Sequence, residues 1–422
     1  MVMTSAAFDP TATLFVRTSE LPDIPHLLSL LPAEGGLAWV HGPATDQTGV
    51  IGLGEVTRIT ISGPERFSRA QRWWSQQCAL SEGGNPIAFA SFAFDKQPGT
   101  SVVVVPNIVV RRINSKTTLS VISETPITDA QVTKVVGQIN RPHSLTHGIN
   151  QVQYLDGSRP VADWQAAVDT AVSRINTGEL DKVVLARDIV AQLDEPLHIG
   201  ALLMRLNESF PECWTFSVDG LIGATPELLI KRDGEHVTSR VLAGTMRRSS
   251  NIDRDGQLAA ELLGSDKDQE EHMYAVESVA AALATHCTDL NVPDRPFILR
   301  LANVQHLATD VTGELVDAAP ALALAASLHP TAAVCGTPTE RASQVIRELE
   351  GMDRGRYSAP IGWIAANGDG EFGIALRCAL IENDERTKLR LYAGCGIVSG
   401  STGESEVAES QAKFAAMRSA LD

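Results

Sequence analysis

No apolar run in this chain reaches the roughly 18 residues that a membrane span needs, so no membrane partner is expected. The opening stretch MVMTSAAFDPTATLF lacks the basic start and apolar core of a secretion signal, and a cytoplasmic protein is expected. Cysteine is sparse: Cys78, Cys213, Cys287, Cys335, Cys378 and Cys395 lie scattered, with no CxxC and no Cys/His pair spacing. That pattern reads as free thiols in a reducing compartment and excludes a disulfide framework or a zinc site. Positive charge is in deficit as well. With 35 Lys and Arg against 51 Asp and Glu, the net charge is −16, which argues against nucleic acid as a partner. An anionic small substrate would need a few Lys or Arg gathered at one place. There is no GxxxxGK[ST], so that phosphate loop is absent, and no short-period repeat occurs.

What is present is core material. The 422 residues are 44% hydrophobic and 20% charged, enough to bury a large interior. Residues 1–150 alternate short apolar runs with turns: GLGEVTRITI, PIAFASFAFD and GTSVVVVPNIVVRR. Val102 to Val105, closed by Pro106, reads as a buried strand. RPHSLTHGINQ, 141–151, turns polar and reads as a connection to a second part, 151–422. That part opens with Trp164, Ala167, Val168, Ala171, Val172 and Ile175 at helical spacing after Pro160, stopped by Gly178. DKVVLARDIVAQL, 181–193, is β-branched and reads as a strand. LIGATPELLIKRDGEHVTSRVLAGT, 221–245, reads as two strands around an Asp233-Gly234 turn. Ser265 can cap a helix, with Asp268 three residues on, and Val276, Val279, Ala280 and Leu283 as its stripe. Strands follow in GRYSAPIGWIAA, FGIALRCALIE and LRLYAGCGIV. The expected class is a mixed α/β unit of mainly antiparallel sheets with outer helices.

Charged residues interrupt these apolar elements at a few places. Lys182 begins the 181–193 strand. Either its head stays in water, or it is partly desolvated and available as a general base. Glu227, in GATPELLI, is either a solvated edge residue or a carboxyl whose proton is retained by an apolar pocket, suited to act as an acid. Asp268 and Glu271, three apart, either complement a helix dipole or face one point. In ESEVAESQAK, 404–413, Glu406, Glu409 and Lys413 fall on one helical face. That face is either a solvated Glu–Lys pairing or carboxylates and an ammonium turned into a pocket. Glu271 and Glu409, from two helices, could hold one hard divalent cation through oxygen, magnesium being the expected ion. Arg377, midway along an apolar strand, needs a buried partner, and a bidentate carboxylate of protein or ligand suits it. The glycines of AGT, 243–245, and AGCGIV, 393–398, serve tight packing or bring backbone N–H groups to a ligand.

Taken in order, LDKVVLAR, GATPELL, VLAGTMRR, SDKDQEEH, VQHLAT, LHPTAAVCGTP, RGRYSAPIGW, IALRCA, AGCGIV and ESEVAESQAK resemble the chorismate-utilising enzymes, over about residues 155 to 420. The N-terminal third matches more loosely, in FAFD and the strands after it. The resemblance implies a single large unit of two packed antiparallel sheets with helices outside. It assigns Lys182 as the base that activates water for attack at C2 of chorismate and Glu227 as the acid that protonates the departing C4 hydroxyl. It makes Glu271 and Glu409 magnesium ligands, with Asp268 and Glu406 supporting them. Gly244, Thr245, His306, Arg377, Gly394 and Lys413 would hold the substrate, and the chain would be a monomer.

Within that family, ammonia-using members typically lack a lysine like Lys182, and aminodeoxychorismate synthases carry a nucleophilic lysine where this chain has Ala243. Water is therefore the implied nucleophile. The implied activity is that of an isochorismate synthase for menaquinone or siderophore synthesis, with salicylate synthase as the alternative and a non-catalytic chorismate-binding paralogue as a reading from another class. Ala332 stands where many relatives have proline and Val334 where some have leucine, both in the expected ring pocket.

Overall fold

The computed structural model describes residues 13–422 apart from 23, 25, 98, 114–115 and 140–150. The polar connection expected at 141–151 therefore lies almost wholly outside the described residues. Among them, the strands form one sheet of 13 and a second of 10. Every pairing is antiparallel except that of Leu14–Glu20 with Ser81–Glu82, so the expected class holds. Early strands enter both sheets. Leu37–His41 pairs with Trp214–Val218 in the larger sheet, and Ile87–Ser91 pairs with Pro360–Ala365 in the smaller. The main core joins Trp39 and Phe216 of the first sheet to Phe89, Ile361 and Phe372 of the second. Aromatic burial on this scale is the dominant favourable term in such a core.

The 221–245 segment differs from the two-strand reading. It holds three strands, and the chain changes sheets between the first two. Leu221–Thr225 belongs to the larger sheet, while Leu228–Asp233 and His236–Arg247 belong to the smaller. Pro226 is the local cause, because it cannot donate to a central ladder. FGIALRCALIE crosses in the same way: Gly370–Ile374 lies in the smaller sheet and Cys378–Ile381 in the larger. Arg377 thus sits at a break rather than midway along a strand, with φ of +47°, a conformation that costs a non-glycine residue energy. The two crossings lie side by side. Ile374 N–H donates to Glu227 O at 3.2 Å and Ala224 N–H donates to Arg377 O at 3.3 Å. Two side chains that the sequence singled out are thereby delivered to one seam between the sheets.

Helices cover the outside and carry the remaining candidates. Val161–Asn176 buries Trp164, Ala167, Val168, Ala171 and Ile175 as its spacing predicts, and Trp164 Nε1 donates to Ala186 O at 2.8 Å. That bond seats the helix on Lys182–Leu193, a strand buried along nearly all its length. Asp266–Leu283 is capped by Ser265, whose Oγ accepts from Asp268 N–H at 3.3 Å. Its buried face runs through His272, Ala275, Val279 and Leu283, with Val276 and Ala280 half-buried beside it. Gly403–Leu421 starts from a capping box between Thr402 and Ser405. No helix among the described residues is long and apolar enough to cross a membrane.

Candidate functional site

At the seam between the sheets lies a cavity of about 770 Å³, counted to its mouth. Glu227, Gly244, Thr245, Glu271, His306, Arg377, Gly394, Glu409 and Lys413 all line it. Lys182 is fully buried just behind that wall: its Nζ lies 3.0 Å from Glu271 Oε1. A side chain at Gly396, another wall residue, would press on both Glu271 and Lys182. The glycine there answers to close approach by these two side-chain ends, not to turn geometry. Asp268 and Glu406 stand further back, outside the lining.

One end of the cavity is acidic. Glu271 comes from Asp266–Leu283, and Glu409 from Gly403–Leu421. Burial works to raise Glu271, but Lys182 first, then Lys413 and Lys267, outweigh it and hold the carboxyl below its usual range. Lys413 Nζ lies 2.7 Å from Glu409 Oε1 and donates to Gly394 O at 2.7 Å. Burial opposes its charge, yet Glu409 pushes the ammonium up. Glu406 is driven up to about 7 by burial and then by Glu409. Burial, with Glu271 and Glu409 adding to it, raises Asp268 although the Ser265 bond opposes this. One carboxylate oxygen of Glu406 is buried without a hydrogen-bond partner. Carboxylates that raise one another, with an oxygen left over, suit a divalent cation of oxygen preference. The set within 4.8 Å of one another is Glu406, Glu409 and Cys395. Glu271 is turned to Lys182 and is not in that set. The Cys395 thiol donates to Glu406 O at 3.4 Å, and burial holds it protonated, so the oxygens are the usable donors.

A second cluster in the lining is basic and unsatisfied. Gly244, with φ of +72°, makes a bulge in His236–Arg247, where the register with Val304–Leu315 slips between Ala243 and Thr245. The bulge turns Gly244 O and Thr245 Oγ1 toward His306 Nδ1, at 3.2 and 3.1 Å. Arg377 Nη2 reaches His306 Nε2. A guanidinium can only donate, so Nε2 accepts and Nδ1 carries the proton. Burial, then Arg377, keep this imidazole neutral by holding its pKa well below 6.5. Arg377 Nη1 is buried with no hydrogen-bond partner, and Arg377 makes no ion pair with a carboxylate among the described residues. The buried partner expected from the sequence is thus one a ligand would have to bring.

Glu227, also in the lining, is 4% exposed. Burial raises its carboxyl to about 8, against the opposing pull of Lys182 and Lys413. At neutral pH it keeps its proton. The cavity also has Val184, Ala333, Val334, Arg354, Tyr357 and Leu376 in its wall. Val334 is placed as expected, but Ala332 is 2% exposed and outside the lining, and its neighbour Ala333 takes that position. Tyr357, stacked on Tyr392 at 4.9 Å, and Arg354 were not singled out from the sequence. Their signal was there in RGRYSAPIGW, where an arginine and a tyrosine precede an apolar run.

Known proteins resemble this chain over much of its length. Over 263 residues the chain is 41% identical to isochorismate synthase MenF of Bacillus subtilis (strain 168), covering 61% of this chain and 55% of that protein. It is 42% identical over 271 residues to isochorismate synthase DhbC of the same organism, covering 61% and 67%. The match thus spans about half the length of the first relative. The structure of MenF, the menaquinone-specific isochorismate synthase from Escherichia coli, superposes with a TM-score of 0.78 at 27% identity, covering 99% of this chain and 97% of that one. The family model described as chorismate binding enzyme matches residues 12–422. A match of that extent takes in both sheets and every side chain of the cavity, and the chain therefore belongs to the chorismate-binding enzyme family.

Proposed function

We propose that the protein converts chorismate to isochorismate, reversibly, as a monomer serving menaquinone or siderophore synthesis. The observation that carries this reading is one buried cavity lined by a proton-bearing carboxyl, Glu227, with a buried lysine, Lys182, behind its wall and a guanidinium, Arg377, that keeps one nitrogen unpartnered. Lys182 takes a proton from water as the water oxygen bonds to C2. The ring double bonds shift, the C4–O bond breaks, and Glu227 gives its proton to the departing hydroxyl, which leaves as water. Each group contributes on the scale of about 10²–10⁴-fold for positioned acid–base catalysts. Arg377, with Thr245 and the backbone at Gly244 and Gly394, receives a substrate carboxylate. Such donors are worth most in a site that excludes water. Ala243 lines the cavity and offers no amine, which supports water over an enzyme nucleophile.

Magnesium is the proposed cofactor. Glu409 and Glu271 would hold it, with Glu406 and Asp268 behind them, and it would neutralise substrate carboxylate charge at the acidic end. The deciding assay is incubation of the purified protein with chorismate and Mg²⁺, with products separated by chromatography. Isochorismate is expected. Salicylate as sole product, anthranilate formed only with ammonia, or tight binding without turnover would each overturn the reading.

A further inference from the structure

Glu350 and Arg354 form an ion pair whose side chains are 1% and 3% exposed. Arg354 Nε and Nη2 donate to the two carboxylate oxygens at 2.7 and 2.6 Å, a two-pronged fork. The remaining bonds do not stay within the pair. Arg354 Nη2 also donates to Val184 O at 2.8 Å, and Nη1 donates to Val334 O at 2.9 Å and to Ser358 Oγ at 3.1 Å. Glu350 accepts from Ala186 N–H at 2.8 Å. Val184, Val334 and Ser358 are all wall residues of the cavity, from three separate stretches of chain. Ser358 is held at φ of +56°, and Val184 lies two residues from Lys182 on the same strand. Arg354 itself faces the cavity on one side and, on the other, an outer groove that also holds Phe94, Ile346 and Met352. Its guanidinium stacks 4.3 Å over the Phe94 ring.

Resting on the proposed reaction, we infer that Arg354 and Glu350 are positioning residues, which pin three walls of the cavity to one buried fork and thereby fix where the Lys182 strand stands relative to the substrate ring. A buried ion pair is a poor way to gain stability alone, since apolar side chains of similar size often do as well or better. Its value here is geometric: each of its outward bonds ends on a group in or beside the cavity wall.

The test is the Arg354→Met/Glu350→Leu double variant, which removes both charges and keeps the space filled. Melting temperature, kcat and KM for chorismate, and amide hydrogen exchange across residues 182–190 without substrate are compared with the parent. A melting temperature near the parent's, faster exchange across 182–190 and a kcat lowered about 10²-fold are expected, the scale of a 1 Å misplacement. Parental exchange together with parental kcat and KM would show that the pair only fills space, and would overturn the inference. If the double variant does not fold, Glu350→Gln keeps an oxygen for Ala186 N–H while weakening the fork. A several-fold loss of kcat with the fold intact then supports positioning, and parental kinetics overturn it. A parent that leaves chorismate unchanged defeats the proposed function, and the exchange measurement then decides on the pair by itself.

Discussion

Two buried pairings of a glutamate with a cation lie within this one molecule, and they are built differently. Arg354 and Glu350 satisfy each other with two bonds and spend the rest on backbone and hydroxyl groups around them. Lys182 and Glu271 sit 3.0 Å apart, yet the Lys182 ammonium makes no aligned hydrogen bond although it is fully buried. A buried donor left short costs about 1–3 kcal/mol, more when charged. The first pair is built as scaffold, with nothing left to offer. The second keeps its bonding capacity in reserve beside the cavity, which suits the base proposed for Lys182.

The sharpest way to break this contrast is to remove each cation in turn. Lys182→Ala is expected to lower turnover at least about 10²-fold while the protein stays folded, because Glu271 is partly exposed to the cavity. Arg354→Met leaves Glu350 buried without its partner, and loss of about 3–5 kcal/mol of stability is expected. Denaturant titration and product chromatography on both variants measure this. A stable Arg354→Met, or an active Lys182→Ala, would erase the distinction.

Glu227 offers the next largest effect, and its sign can be worked out. Glu227→Gln is expected to lower kcat about 10²-fold, since an amide cannot give up a proton. In the parent, kcat should fall as pH rises through about 8, where the acid loses its proton. Stability moves with it. The folded carboxyl binds its proton more tightly than the unfolded one, so its contribution is fully present below the unfolded value of about 4.5 and is lost as pH rises through about 8. Glu227→Gln should therefore be more stable than the parent at pH 9 and nearly equal to it at pH 4.5. Equal stability at both would mean that the carboxyl is not desolvated.

At the acidic end, Mg²⁺ should raise the melting temperature of the parent. The gain is about 2.7 kcal/mol when the ion is at 100 times its dissociation constant. Chelation should reverse it, and Glu409→Gln should abolish it. A shift that survives in Glu409→Gln would place the ion elsewhere.

Much of this was legible from residue types alone. Strands, the main helices and their caps follow from periodicity and from Pro160, Gly178 and Ser265, because those signals are local. Lys182, Glu227 and Arg377 stood out because a charge in an apolar element has to be met by something, and Glu271, Glu409 and Lys413 because helical spacing puts them on shared faces. What stayed hidden was relational. That Leu221–Thr225 and Leu228–Asp233 belong to different sheets depends on partners over a hundred residues away. The turn of Glu271 to Lys182 instead of to Glu409 depends on Gly396 leaving room for it. Arg354 was passed over because an arginine in a polar turn reads as a surface residue, and nothing nearby in sequence except Glu350 marks it as buried.

The smallest expected effect separates holding the acidic helix in place from acting in the site. Ser265 Oγ accepts the Asp268 N–H and so starts the helix that carries Asp268, Glu271 and His272. Ser265→Ala is expected to cost about 1 kcal/mol, the usual worth of such a cap. Further along, His272 Nε2 bonds Thr309 Oγ1 at 2.8 Å, and this second anchor to Val304–Leu315 remains in the variant. Glu271 is held by Lys182 as well, so kcat should stay within about twofold of the parent, less than loss of a single hydrogen bond at a reacting group would cost. Calorimetry and steady-state kinetics on one preparation measure both. A fall in kcat well beyond the fall in stability would show that the cap, and not the lysine, decides where Glu271 stands, and the two buried pairs would then differ less than their bonding implies.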